Sequence, residues 1–352
     1  MKYALALGGG GARGAFEAGV WQAINELGIE ISAISGTSVG AINGAAFAAG
    51  ADACQLWRNI DINDIVNTEQ TNNNLFSVKG MMSVIKKGFS GGLDTAPLKK
   101  LISEYISEEK VRSSPIKFGL CAYSVSKKKS NELFIDDIPK GLLADYIVAS
   151  ACFPGFRPKI IKGEEFSDGG IRNNLPVNML TKLGYNNIIS VSVRGWGVKQ
   201  DFECGGTNLI KIEIPPDCEG LMDFDNESIE KNIRRGYIAL MREFGELEGK
   251  KYAFKHDTYK KILHNFGRCF FDSLEIAAGY LNLPDFYVYS LDDIIGYLIE
   301  EAENNKKVKK VIELIEKSDS AFLKEKIDLL GDVFVTAATV VYLKSQFPGK
   351  QK

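Results

Sequence analysis

The chain has 352 residues, 45% hydrophobic and 25% charged, an ordinary globular composition with enough length for one large or two medium domains. Its 43 Lys and Arg against 45 Asp and Glu leave a net charge of −2, which excludes electrostatic capture of nucleic acid as the main task. The 6 cysteines contain no CxxC pair, so neither a metal site nor a redox pair is expected, and only His256 and His264 are available to a mechanism that needs histidine.

Residues 3–7 form a short apolar run that ends in four glycines. A secretory signal needs about 7–15 apolar residues, so this run predicts a buried strand instead. Phe16, Val20, Ala23, Ile24 and Leu27 recur at helical spacing before Gly28, which predicts a helix over 15–27. A strand follows at 31–34 and a helix of small residues at 41–49. The stretch 31–51 is uncharged, and Gly36, Gly40 and Gly44 have the spacing of a membrane packing face. Its Ser32, Ser35, Thr37, Ser38 and Asn43, with no Leu, make it too weakly apolar to favour insertion. Strand–helix alternation with glycine turns predicts a parallel sheet covered by helices.

Residues 67–74 are polar and read as a loop. Asp94-Thr95-Ala96-Pro97 reads as a helix start, with Asp94 or Thr95 as cap and proline in the first turn. Strands are expected at 117–125, 187–193 and 209–214, a helix at 141–151, and a hairpin over 158–166 that turns at Lys162-Gly163. Beyond Asp223 the pattern is helical: an amphipathic helix over 225–248, another capped by Ser290-Leu291-Asp292-Asp293, and a charged one from Lys306. A boundary near residue 250 separates 1–250 from a helical extension, 251–352, to which the sequence assigns no role.

Three motifs stand out. Gly8-Gly9-Gly10-Gly11-Ala12-Arg13-Gly14 lies between a strand and a helix. Its backbone N–H groups, beside a helix N-terminus, suit a phosphate or an oxyanion equally well. Gly36-Thr37-Ser38-Val39-Gly40 is a GxSxG pattern, repeated at Gly88-Phe89-Ser90-Gly91-Gly92. Ser38 follows a strand and opens a helix, the turn that pushes a serine oxygen into the open, whereas Ser90 precedes a loop. Ser167-Asp168-Gly169-Gly170 alone would be a simple turn, but it is flanked by Cys152-Phe153-Pro154-Gly155-Phe156-Arg157-Pro158 and by Asn173-Asn174-Leu175-Pro176.

Together, over roughly residues 1–250, these motifs resemble the patatin-like phospholipase family: a GGGxRG loop, a GxSxG elbow and a later DGG, in that order. The resemblance implies an α/β fold, a mainly parallel sheet sandwiched by helices, with a helical C-terminal extension. It implies a lipid acyl hydrolase of the phospholipase A or lysophospholipase type, with Ser38 as nucleophile and Asp168 taking its proton directly. The N–H groups of Gly9, Gly10 and Gly11 would form the oxyanion hole, and no metal or organic cofactor would be needed. Arg13 would order the loop, meet a lipid phosphate, or simply lie on the surface. Phospholipids, lysophospholipids or other acyl glycerides are the expected substrates, and no nucleic acid is expected as a partner. The expected place is the cytoplasm, with transient contact to a membrane surface. Met81, Met82, Val84, Ile85 and Phe89, interleaved with lysines, suit either a lipid-touching lid or an amphipathic helix on the core.

Competing readings are a His-containing triad, ordered Ser38, Asp168 and then His256 or His264, a nucleotide-binding protein, and an inactive lipid-binding module. The triad suffers from having only about 30 residues before Ser38. The nucleotide reading lacks a Walker lysine and an acidic residue at the end of the second strand.

Overall fold

The computed structural model describes residues 2–66, 92–200, 206–317 and 320–347, with backbone alone over 320–330. The polar stretch 67–74, the lid candidates Met81 to Phe89 and Ser90 lie outside the described residues. The chain divides into two compact units, Met1–Leu240 and Met241–Lys352.

The first unit opens with β1 (Lys2–Leu7), α1 (Ala15–Glu26), β2 (Glu30–Thr37) and α2 (Val39–Ala48). The uncharged stretch is therefore a buried strand and a buried helix. Among the described residues no helix is long and apolar enough to cross a membrane. Next come α3 (Ala53–Asn59), α4 (Ala96–Tyr105), α5 (Glu108–Ser113), β3 (Lys117–Ser124) and β4 (Lys129–Phe134). Then follow α6 (Leu143–Ser150), β5 (Lys159–Ile161), β6 (Glu164–Asp168), α7 (Val177–Thr181), β7 (Asn187–Ser192), β8 (Asn208–Glu213) and α8 (Asn226–Glu243).

The strands form one sheet in the order β5-β6-β3-β2-β1-β7-β8, with β4 also paired to β3. The five strands from β3 to β8 in that order are parallel, and β4, β5 and β6 run antiparallel to their neighbours. Leu5, Leu7 and Ile34 are wholly buried, as inner strands covered on both faces require. The small residues of α2 let it lie close on the sheet: a Cβ at Gly44 would meet Ile34 Cγ2 at 2.8 Å. Helices α1 and α8 cross where both carry glycine, since a Cβ on Gly19 would stand 1.8 Å from the Ile233 carbonyl oxygen and one on Gly236 1.9 Å from that of Phe16.

The expected hairpin is present, and Lys162 (φ 50°) and Gly163 (φ 80°) supply the left-handed pair that a two-residue turn demands. At the start of α4, Thr95 is the cap residue, but the Asp94 carboxylate accepts the Ala96 N–H at 3.0 Å. Strand β4 was not expected. Its Lys-Ser-Asn-Glu-Leu-Phe sequence shows no alternation, and only pairing with β3 makes it a strand.

The second unit is mostly helical, as expected: α9 (His256–Tyr280, bent at Gly267), α10 (Leu291–Asn304), α11 (Lys306–Lys317) and α12 (Ser320–Gln346). Ser290 and Asp293 cap α10 reciprocally. The helical pattern concealed three short strands, 247–248, 253–255 and 288–289, which form a small separate sheet. The expected helix over 225–248 ends at Glu243 because Gly245 turns left-handed (φ 79°) and the chain enters the first of these strands. Glu275 on α9 is buried, and one of its oxygens accepts the N–H groups of Lys250 and Lys251 at 2.8 and 3.1 Å, pinning the loop between two of the strands.

Candidate active site

The register of β3 explains how distant motifs meet. One edge of β3 pairs with β4 along 119–124. The other edge is shared: β2 pairs with it up to Thr37↔Cys121, and β6 begins on the next rung with Asp168↔Ala122. Because β2 is parallel to β3 and β6 antiparallel, the C-terminal ends of β2 and β6 point at each other. Ser38 follows the one and Asp168 ends the other. On the far side of β2, the last rung with β1 is Leu7↔Gly36, which delivers the glycine loop to the same place. The tightness is visible at Gly169, where a Cβ would fall 2.1 Å from the Cys121 carbonyl oxygen and 3.0 Å from Thr37 Cγ2.

Ser38 occupies a conformation rarely adopted by non-glycine residues, φ 56° and ψ −124°. Such strain of order 1–3 kcal/mol survives only where the surroundings over-determine it. Here the Ser38 N–H donates to Ser150 Oγ at 2.9 Å, and the Ser150 hydroxyl donates to the Cys121 carbonyl at 2.6 Å. The Ser38 carbonyl accepts from Ala41 N–H at 2.9 Å to start α2. Gly36 and Gly40 are required by proximity: Cβ atoms there would lie 2.1 Å from the Gly40 oxygen and 2.5 Å from the Leu7 oxygen.

The glycine loop is clamped from several sides. Gly8 N–H donates to the Val191 carbonyl and Gly9 N–H to the Asn174 carbonyl, each at 3.0 Å, and Ala12 N–H donates to Leu221 at 2.8 Å. Gly9, expected as an oxyanion donor, has thus committed its single N–H elsewhere. Among the described residues the N–H groups of Gly10 and Gly11 have no acceptor. Gly11 is left-handed (φ 57°), and a Cβ on it would meet the Leu221 oxygen at 2.2 Å. Arg13 holds the loop from outside, its Nε donating to the Glu219 carbonyl at 2.7 Å and Nη1 to the Arg194 carbonyl at 3.3 Å.

Asp168 is buried, with 3% of its surface exposed. Burial pushes its pKa up to about 6, against the opposing pull of the Gly170 N–H and the Ser38 side chain, which both favour the charged form. The Gly170 N–H donates to Asp168 Oδ1 at 2.7 Å. Ser38, Asp168 and Gly9, Gly10 and Gly11 all line one cavity of about 500 Å³. Its other walls are apolar, among them Val39, Ile42, Leu98, Phe156 and Phe224; Asn174 is the one further polar non-aromatic side chain among the described lining residues.

Sequence reasoning missed three supports. Ser150 fixes the Ser38 backbone, yet nothing distinguishes it in Ala-Ser-Ala. Glu132 on the unexpected β4 accepts from Asn173 Nδ2 and Asn178 Nδ2, both at 2.9 Å, and from Lys182 Nζ at 2.9 Å. Burial raises the Glu132 pKa, but these donors outweigh it and hold the carboxyl below its usual range. Asn173 in turn offers its carbonyl to the Thr37 hydroxyl at 2.8 Å, one residue before Ser38. Behind the cavity, Asn43 Nδ2 donates to the Gly14 carbonyl and to buried Glu17, and Asn43 Oδ1 accepts from Trp57 Nε1 at 2.9 Å.

A family model described as patatin-like phospholipase matches residues 5–181, half of the chain, a span that includes the glycine loop, Ser38, Asp168 and Asn174, and the chain belongs to that family. It is 28% identical over 200 residues to patatin-like phospholipase domain-containing protein 7 of Rattus norvegicus, covering 54% of this chain and 13% of that protein. A lysophospholipase of Aspergillus terreus is 53% identical over 53 residues, 15% of this chain and 4% of that one. The chain therefore corresponds to a small part of the length of these relatives. Among solved structures, VipD from Legionella pneumophila aligns over 99% of this chain and 85% of its own, at 14% identity and a TM-score of 0.37.

Proposed function

We propose that this chain hydrolyses carboxylic esters of lipids, phospholipids, lysophospholipids or acyl glycerides, through Ser38 and Asp168 and an acyl-enzyme. One observation carries the reading: a serine on a strained elbow faces a buried aspartate at the polar end of an otherwise apolar cavity. The A. terreus relative is named a lysophospholipase, which supports the same substrate class.

In this mechanism Ser38 Oγ attacks the ester carbonyl as its proton passes to Asp168. An ordinary aspartate, near 3.9, is a weak base; the rise to about 6 brings Asp168 closer to the working pH, where a general base is most effective. The developing oxyanion is met by the Gly10 and Gly11 N–H groups, beside the helical turn that begins at Gly11. Asp168 then gives its proton to the leaving alcohol, and water completes the cycle. The apolar walls hold the acyl chain, and the substrate is taken up during transient contact with a membrane surface. Arg13, bonded to two carbonyls, serves the loop in this reading.

A histidine-dependent triad draws no support, because His256 pairs with Glu248 at 2.9 Å and no histidine is among the cavity-lining residues described. A nucleotide site draws none either, since no lysine or arginine is among them. The test is labelling with a fluorophosphonate probe and peptide mapping. An adduct on Ser38 that is lost in Ser38→Ala and weakened in Asp168→Asn is expected. An adduct elsewhere, or none on folded protein, would overturn the reading.

A further inference from the structure

Asn174 is 4% exposed, yet its side-chain Oδ1 has no hydrogen-bond partner. A buried acceptor left open costs about 1–3 kcal/mol, so its persistence calls for an occupant. The amide orientation is fixed by chemistry. Asn174 Nδ2 donates to the Gly9 carbonyl at 3.3 Å, and turning the amide over would set two oxygens against each other. Two glycine positions bring that oxygen to within 5.5 Å of Ser38 Cβ and within 5.9 Å of Asp168 Oδ1. A Cβ placed on Gly9 would stand 2.4 Å from Asn174 Oδ1 and 3.1 Å from Ser38 Cβ. A Cβ placed on Gly170 would stand 3.0 Å from Asn174 Oδ1 and 2.9 Å from Asp168 Oδ1. One small molecule with two donor hydrogens can therefore bridge Asn174 and Asp168 beside Ser38.

We propose that Asn174 Oδ1 holds the second hydrogen of the water that deacylates the enzyme, and so selects water over other hydroxyl compounds as acyl acceptor. This inference rests on the proposed Ser38 and Asp168 chemistry. An acceptor atom cannot stabilise an oxyanion or a carbonyl oxygen; it can only receive N–H or O–H. In the step, one O–H bond of water breaks and its proton goes to Asp168, while the water oxygen forms a bond to the acyl carbon. The tetrahedral intermediate then expels Ser38 Oγ, which takes the proton back from Asp168, and the free acid leaves. Throughout, the other O–H points at Asn174. An alcohol has a single O–H, which Asp168 must receive, so its carbon substituent would be turned toward the Asn174 oxygen.

The experiment uses the full chain, p-nitrophenyl butyrate and a fixed proportion of methanol, and measures the ratio of methyl butyrate to butyric acid. That ratio is set after the acyl-enzyme forms and is independent of which step limits turnover. Asn174→Leu, close in size and without an acceptor, is expected to raise the ratio about tenfold, the worth of one lost hydrogen bond. Asn174→Ser, which keeps an oxygen, is expected to return it part of the way. The backbone bonds of Asn174, to Gly9 N–H and to the Val198 carbonyl, survive both changes. An unchanged ratio in Asn174→Leu, however slow the enzyme, would overturn the inference alone. A shift seen only with lipid esters that carry a free hydroxyl would overturn it too, by making the substrate the donor. Wild-type turnover that survives Ser38→Ala would instead overturn the reading beneath it.

Discussion

Replacing Asp168 by asparagine is expected to abolish activity and stabilise the fold. Burial raises the Asp168 pKa from 3.8 to about 6. At 1.36 kcal/mol per unit, keeping this carboxylate charged in the folded state costs about 3 kcal/mol at neutral pH. The sign follows from proton binding. Between roughly pH 4 and 6 the folded state retains a proton that the unfolded chain has released, so wild-type stability falls as pH rises through that window. Asparagine carries no charge and can still accept the Gly170 N–H. The variant should match the wild type below about pH 4 and exceed it by about 3 kcal/mol above pH 7, a rise of roughly 6–12 °C in Tm for a unit of this size. The assay is urea unfolding followed by tryptophan fluorescence across that pH range, since Trp21, Trp57 and Trp196, the 3 tryptophans of the chain, all belong to the first unit. Esterase activity should fall at least about 100-fold, the usual worth of a general base. A stability gap of constant size at all pH values, or a variant less stable at pH 7, would refute the reasoning.

The strain at Ser38 predicts a second pair of variants: Ser38→Gly should be about 1 kcal/mol more stable than Ser38→Ala in urea, with both inactive, and equal stabilities would remove the strain argument. The pH dependence of kcat/KM on a neutral ester should rise through about pH 6 as Asp168 loses its proton and then stay flat, whereas a limb near 4 would disprove the effect of burial. At the crossing of α1 and α8, Gly236→Ala forces a Cβ to within 1.9 Å of the Phe16 oxygen and should cost about 1–3 kcal/mol, read as a lower urea midpoint; an unchanged midpoint would mean that the helices can separate freely.

The local grammar of the chain was legible because each piece rests on short-range physics. Apolar runs closed by glycine marked β1 and β2, helical spacing marked α1, and the turn at Lys162-Gly163 marked the hairpin. The strand before Ser38 and the helix after it were legible in the same way. Strand β4 and the three short strands of the second unit could not be read, since their pairing partners are what hold them extended.

The sequence by itself determined the three motifs, their order and the kind of chemistry their residue types permit. Only the tertiary structure decided that they meet. Ser38 and Asp168 are 130 positions apart in the chain, and adjacency arises because β2 and β6 share one edge of β3. The burial that raises the Asp168 pKa, the loss of Gly9 N–H to the Asn174 carbonyl and the open oxygen of Asn174 are likewise properties of packing. Solvation and hydrogen-bond saturation depend on every neighbour in space, and spacing along the chain does not encode them.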